Sequence, residues 1–155
     1  ITLMQYEQLK LSNQICFPVY AASRLIIRQY QPLLDALGIT YPQYLVLMVL
    51  WEHGPQAVGD ISRRLILNTN TLTPLLKRLE SQGLITRRRT EQDERKVKVT
   101  LTPEGEQLRH PASQIPEALA KGLMESDFEP ASLLELKRLL EALIDKMVVQ
   151  RPEDD

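Results

Sequence analysis

The chain has 155 residues, 43% of them hydrophobic and only 5% aromatic, with leucine recurring at helical spacing; this predicts one mainly helical domain, with room for an oligomerisation element. One cysteine excludes an internal disulfide framework, two histidines far apart (His53 and His110) argue against a metal cage, and no apolar run reaches the roughly 18 to 20 residues that cross a bilayer. The formal net charge of -1 conceals a split: Arg63 to Lys98 holds ten basic and four acidic residues, a net +6, which leaves -7 elsewhere and fits a phosphate-binding face on an otherwise acidic chain.

In chain order, the N-terminal stretch carries Gln5, Glu7 and Lys10 where a signal peptide would be apolar, so a soluble, cytoplasmic protein is expected, with no membrane partner. Tyr6 to Gln29 reads as helix interrupted by Pro18, and Gln31-Pro32 opens a short further helix that stops at Gly38. Thr40-Tyr41-Pro42 starts a helix whose run to Glu52 is apolar on nearly every side, which marks it as buried, and His53-Gly54-Pro55 ends it. A short helix from Val58 to Leu67 follows, with Val58, Ile61 and Leu65 on one face.

After Asn68-Thr69-Asn70, Leu72, Leu75, Leu76 and Leu79 follow the helical rule and face a core, so Asn70, Pro74, Lys77, Arg78 and Ser81 project outward with Thr71 and Thr73 on the flanks. Pro74 places the start of this helix near Thr69 or Asn70, so that the ring falls in the first turn. The period then becomes two: Leu84-Ile85 begins one strand, Val97, Val99 and Leu101 mark a second, and Thr90 to Glu94 is the turn between them. Two helices followed by a basic hairpin are the parts of a mainly α, winged helix-turn-helix fold with a two-stranded β-hairpin wing. Thr102-Pro103-Glu104 caps a new helix, and from about Pro130 to Val149 the residues Leu133, Leu136, Leu140, Leu143 and Met147 form a seam suited to helix pairing or to internal packing.

A helix entering the major groove needs short polar side chains at its N-terminal end and cations further along. Asn68, Thr69, Asn70, Thr71 and Thr73 supply the first, with Pro74 projecting among them, and Lys77 and Arg78 the second. On the wing, Arg88 adds a backbone cation and Arg95 is placed to enter a narrow minor groove, with Asp93 bracing the turn or pairing with Arg95. The lone thiol, Cys16, lies at a helix N-terminus if Pro18 opens a helical segment, and in a kinked continuous helix otherwise; the first geometry favours the thiolate. Phenolic hydroxyls donate to a thiolate as well, and Tyr20 is one helical turn from Cys16.

Asp93-Glu94-Arg95 followed by Val97-Lys98-Val99-Thr100-Leu101-Thr102 resembles the D-x-R wing signature of the MarR family. Gln14-Ile15-Cys16-Phe17, the stretch QYQPLLDALGITYPQYLVLMVLWE and the run from Thr71 to Arg78 resemble the single-cysteine organic hydroperoxide resistance regulators within it, a likeness that spans about Leu11 to Ile115. The resemblance implies a homodimer joined by terminal helices (residues 1–40, with the sensor cysteine, and 103–155) around a DNA-binding domain (41–102). It implies that Tyr30 and Tyr41 reach Cys16 from the partner subunit, and that Arg95 is the minor-groove arginine. The implied function is a redox-sensing repressor of double-stranded operator DNA, not an enzyme and without a cofactor or metal. Its signal is an organic hydroperoxide; with no second cysteine in the chain, a low-molecular-weight thiol, a backbone nitrogen or further oxidation resolves the oxidised Cys16. The alternative is a repressor that answers a small aromatic ligand, with Cys16 uninvolved. Where relatives carry Asp-Ser-Gly before the Thr-Leu-Thr-Pro run, this chain has Asn68-Thr69-Asn70, so contacts at that end do not carry over.

Overall fold

The computed structural model describes residues 6–125 and 127–149; Gln5 and the outer ends of the two expected terminal segments lie outside them. The chain divides into two compact units, residues 1–115 and 116–155.

In the first unit, residues 6–15 are not the expected α-helix. They form two single 3-10 turns, Glu7–Leu9 and Leu11–Asn13, and the first α-helix, α1, runs Cys16–Asp35. Pro18 sets this boundary: it cannot donate to the carbonyl of Gln14, and its ring would strike that group if the helix extended upstream. At the third helical position the missing N–H costs little, so α1 begins at Cys16 and runs past Pro18 without interruption. Gln31-Pro32 does not open a new helix either, since α1 carries Pro32 inside its last turn. Both Pro32 and Arg28, the residue whose carbonyl loses its helical donor, face solvent, which can replace the bond.

Thr40 then caps α2 (Tyr41–His53) with a capping box: its hydroxyl accepts from the Gln43 N–H at 3.4 Å, and the Gln43 side chain accepts from the Thr40 N–H at 3.0 Å. Six residues of α2 are buried, among them Val46, Leu47 and Leu50, and Gly54 closes the helix at a positive φ of 73°. Around α2 pack α1, the short helix α3 (Val58–Leu65) and the helix α4 (Thr69–Ser81). Ile66, in the left-handed conformation, ends α3 two residues before the expected Leu67.

The four leucines predicted to face inward on α4, Leu72, Leu75, Leu76 and Leu79, are all buried beside Ile61 and Leu34 in one core. Pro74 departs from expectation, for with α4 starting at Thr69 it falls in the second turn. It cannot donate to the carbonyl of Asn70, and the helix tolerates this because both residues are exposed.

The wing is larger than a hairpin. Strands β2 (Ile85–Arg89) and β3 (Val97–Leu101) pair antiparallel, with Arg87 opposite Val99, and a two-residue strand β1 (Gln56–Ala57) adds to the other edge of β3, giving the order β1-β3-β2. The dipeptide before α3 is too short to show alternation in the sequence, which is why two strands were expected. The connecting turn covers residues 90–96, longer than the expected Thr90 to Glu94. Thr102 caps α5 (Pro103–Gln107) by accepting the Gly105 N–H at 3.1 Å, and α6 (Arg109–Ala112) follows. Trp51 of α2 donates to the Gly105 carbonyl at 3.0 Å. In the second unit, α7 (Ile115–Met124, entered at the boundary) precedes α8 (Pro130–Val149), whose seam residues Leu136, Leu143 and Met147 are exposed and Leu133 and Leu140 half-buried.

A Cβ added at Gly105 would collide with the Leu84 carbonyl oxygen and crowd Leu101, whereas one at Gly122 meets nothing within 4 Å. Gly105→Ala is therefore expected to destabilise by about 1–3 kcal/mol, and Gly122→Ala to stabilise by about 0.5–1 kcal/mol through helix propensity. Thermal unfolding of the two variants beside the parent checks both signs.

Candidate nucleic-acid interface and thiol site

The outward face of α4 is built by its own apolar stripe: once the leucines are buried, Asn70, Thr71, Pro74, Lys77, Arg78 and Ser81 have only solvent to face, and all are exposed. Asn68 caps the helix, its side chain accepting the Thr71 N–H at 2.8 Å, and the Thr73 hydroxyl donates to the Thr69 carbonyl at 2.8 Å. Thr69 is exposed and Thr73 half-buried. At this end α4 thus presents short polar groups at fixed positions, with two cations one turn and more beyond them.

At the tip of the wing, Asp93 braces the turn. Its carboxylate accepts the Arg95 N–H at 3.0 Å, and its carbonyl accepts the Thr90 hydroxyl at 2.8 Å and the Lys96 N–H at 3.0 Å. Of the two roles expected for Asp93, the geometry gives bracing; no ion pair joins it to the Arg95 guanidinium among the described residues, and Arg95 projects as an exposed cation. Arg88 is exposed on β2.

Two residues that the sequence reading missed tie the wing to α4. Glu80, near the end of α4, accepts the Arg87 N–H at 3.0 Å and the Arg87 guanidinium at 3.1 Å. The hydrogen bond from the Arg87 side chain holds the Glu80 carboxyl below its ordinary range; burial opposes it, and the Arg87 charge and main-chain N–H add further lowering. A second polar tie runs from the buried Gln43 to Gln82 at 3.0 Å and from Gln82 to the Gly38 carbonyl at 2.9 Å, linking the start of α2 and the end of α1 to the end of α4. Residues separated by 39 and 44 positions leave no periodic trace in a sequence.

Cys16 is exposed as the first residue of α1, which decides between the two geometries left open above: the helix starts at the thiol and runs past Pro18 without a break. Tyr20 is 61% exposed, with the Arg24 guanidinium 5.3 Å from its ring centre. Tyr30 and Tyr41 come together, ring centres 4.9 Å apart, and Tyr44, not anticipated, completes the cluster at 6.1 and 6.3 Å from them. Burial raises all three hydroxyls above the ordinary phenol value, with neighbouring phenols adding to the effect for Tyr30 and Tyr44, so they stay protonated and able to donate. Within one chain they do not reach Cys16, because fourteen residues of helix set Tyr30 about 21 Å along α1 from it.

Comparison with known proteins places this geometry among DNA-binding regulators. Residues 28–111 match the family described as transcriptional regulator SarA/Rot. An organic hydroperoxide resistance transcriptional regulator of Bacillus subtilis strain 168 is 47% identical over 92% of this chain and 95% of its own length. The reduced form of AbfR bound to DNA, a protein of Staphylococcus epidermidis, is 39% identical with a TM-score of 0.74, covering 92% of this chain and 97% of that one. A disulfide form of AbfR is 43% identical with a TM-score of 0.62, over 89% and 95%.

The depressed Glu80 carboxyl gives stability a pH dependence. Its contribution is complete above the ordinary carboxylate value and fades as pH falls through the lower value it has in the fold. Glu80→Gln is expected to unfold at a lower temperature than the parent at pH 7, with the gap closing toward pH 3. A gap that persists unchanged in acid would show that the pair adds nothing through its charge.

Proposed function

The chain belongs to the organic hydroperoxide resistance branch of the MarR-type transcriptional regulators, and on that premise we propose how it works: as a redox-sensing repressor that grips operator DNA while Cys16 is reduced and releases it once an organic hydroperoxide has oxidised that thiol. The observation that carries the redox half is the position of Cys16, exposed and first in α1. The exposed polar face of α4 and the free Arg95 at the wing tip support the DNA half.

In this reading α4 lies in the major groove. Asn68, Thr69, Asn70, Thr71, Thr73 and Pro74 lie toward the bases, Lys77, Arg78 and Arg88 toward phosphates, and Arg95, held out by Asp93, enters the minor groove. Such a helix reads a half-site, and two half-sites about 34–36 Å apart call for two copies of the chain. We assign the pairing to residues 1–40 and 103–155, on both of which apolar side chains stand uncovered in the single chain: Ile15 is 84% and Leu134 69% exposed. No described helix is long and apolar enough to cross a membrane, in keeping with a regulator that works on DNA in the cytoplasm.

The chemistry starts at Cys16. Its thiolate attacks the terminal oxygen of the hydroperoxide; the O–O bond breaks, the departing alkoxide takes a proton and leaves as the alcohol, and a sulfenic acid remains. Tyr30 and Tyr41 of one subunit would donate to Cys16 of the other, with Tyr20 beside it on the same helix. A low-molecular-weight thiol then condenses with the sulfenic acid, losing water, and the bulk of the mixed disulfide breaks the phenol contacts and shifts the spacing of the two α4 helices. Relatives named as transcriptional regulators, in place of enzymes, fit a thiol that is oxidised once per signal.

Two outcomes test this. With organic hydroperoxide and a small thiol, the parent should leave an operator duplex in a mobility-shift assay while Cys16→Ser stays bound; equal release of both would sink the redox half. Without oxidant, Arg95→Ala should bind about tenfold more weakly than the parent.

A further inference from the structure

Between α4 and the wing lies a cleft of about 510 Å³ that none of the residues assigned above explains in full. One wall is the first turn of α3 with Arg63; the other carries Thr69 and Thr73 of α4 and, from the wing, Arg87, Arg95 and Lys96. Four cations therefore border it. The single acid in its lining, Asp60, is already paired to Arg63.

At the base is an incomplete hydrogen-bond set. Glu80 engages the Arg87 main chain and one terminal nitrogen, yet Nε of Arg87 is buried without an acceptor, the only such side-chain atom among the described residues. The Arg87 side chain is held in place by Glu80 and keeps 22% of its surface exposed where it lines the cleft. Side chains alternate along a strand, so Arg87 shares the inner face of β2 with the buried Ile85 and lines the cleft, while Arg88 turns to the opposite face.

Duplex geometry gives the cleft an occupant. The major and minor grooves are divided by one sugar-phosphate strand, so a protein that puts α4 into the first and Arg95 into the second must straddle that strand with whatever lies between them. What lies between them here is the cleft. We propose that it is the seat of a DNA backbone phosphate, and that Arg87, pinned by Glu80 and flanked by Arg63 and Lys96, is the cation that fixes the register of α4 on the duplex. This rests on the DNA-binding reading above and adds Arg63, Arg87 and Lys96 to it, with Glu80 as a positioning residue that aims the guanidinium.

Losing one phosphate contact flattens the dependence of log affinity on log salt by about 0.9 per subunit, and losing a charge-assisted bond weakens binding about tenfold. Binding of the full-length protein to an operator duplex, measured by fluorescence anisotropy at several salt concentrations, should show both effects for Arg87→Gln. Arg64→Gln, a surface arginine of α3 outside the cleft whose Nε donates to Gln56, serves as the reference and should keep the parent slope. Glu80→Gln, which leaves every cleft cation in place, should keep the slope but bind more weakly. If a thermal melt shows Arg87→Gln unfolded, the exposed rim variants Arg63→Gln and Lys96→Gln take its place, each expected to lower the slope. An unchanged slope in the folded cleft variants, or an equal loss in Arg64→Gln, would overturn the phosphate seat while leaving DNA binding itself intact. A parent protein that binds no duplex would instead remove the reading on which the seat depends.

Discussion

Helix α2 cannot be exposed. With Val46, Leu47 and Leu50 almost wholly buried, and Tyr44 and Val49 nearly so, it presents apolar side chains on almost every side, and the chain must wrap it. Helices α1, α3 and α4 and strand β3 are what cover it. Each of these has one apolar stripe to bury, so the burial of α2 fixes which way each turns its polar face. The exposed polar side of α4 is the complement of four leucines that have nowhere else to go.

Hydrophobic burial is non-directional, and it does not set the distance between α4 and the wing. Directional polar bonds do that. Glu80 holds Arg87 by two contacts across that junction, and the Gln43–Gln82–Gly38 chain fixes the far end of α4 to the loop before α2. The second tie begins at the capping box beside Tyr41, so the phenol cluster and the end of α4 are tied to one short segment of main chain.

Cys16 shows how a local rule can settle a chemical environment. Pro18 permits α1 to start no earlier than its own first turn, and that leaves Cys16 exposed at the helix start instead of inside a helix. Pro74 shows the limit of the same rule. Read alone, it demanded a first-turn position; in the folded chain it sits in the second turn, because the Asn68 cap fixes the start of α4 and solvent can take the orphaned carbonyl.

Sequence alone determined whatever depends on neighbours a few residues apart. The leucine stripe of α4, the caps at Thr40, Asn68 and Thr102, the alternation of β3 and the basic centre of the chain all follow from helical or strand periods and from the chemistry of single side chains. Tertiary structure decided what needs distant residues to meet: the third strand, supplied by a dipeptide that pairs with residues more than forty positions away; the Glu80–Arg87 and Gln43–Gln82 ties; the place of Tyr44 among the phenols; and the cleft floored by Arg87. Periodicity encodes which face of an element is buried, but only the packing of those faces brings side chains from separate elements within hydrogen-bond reach.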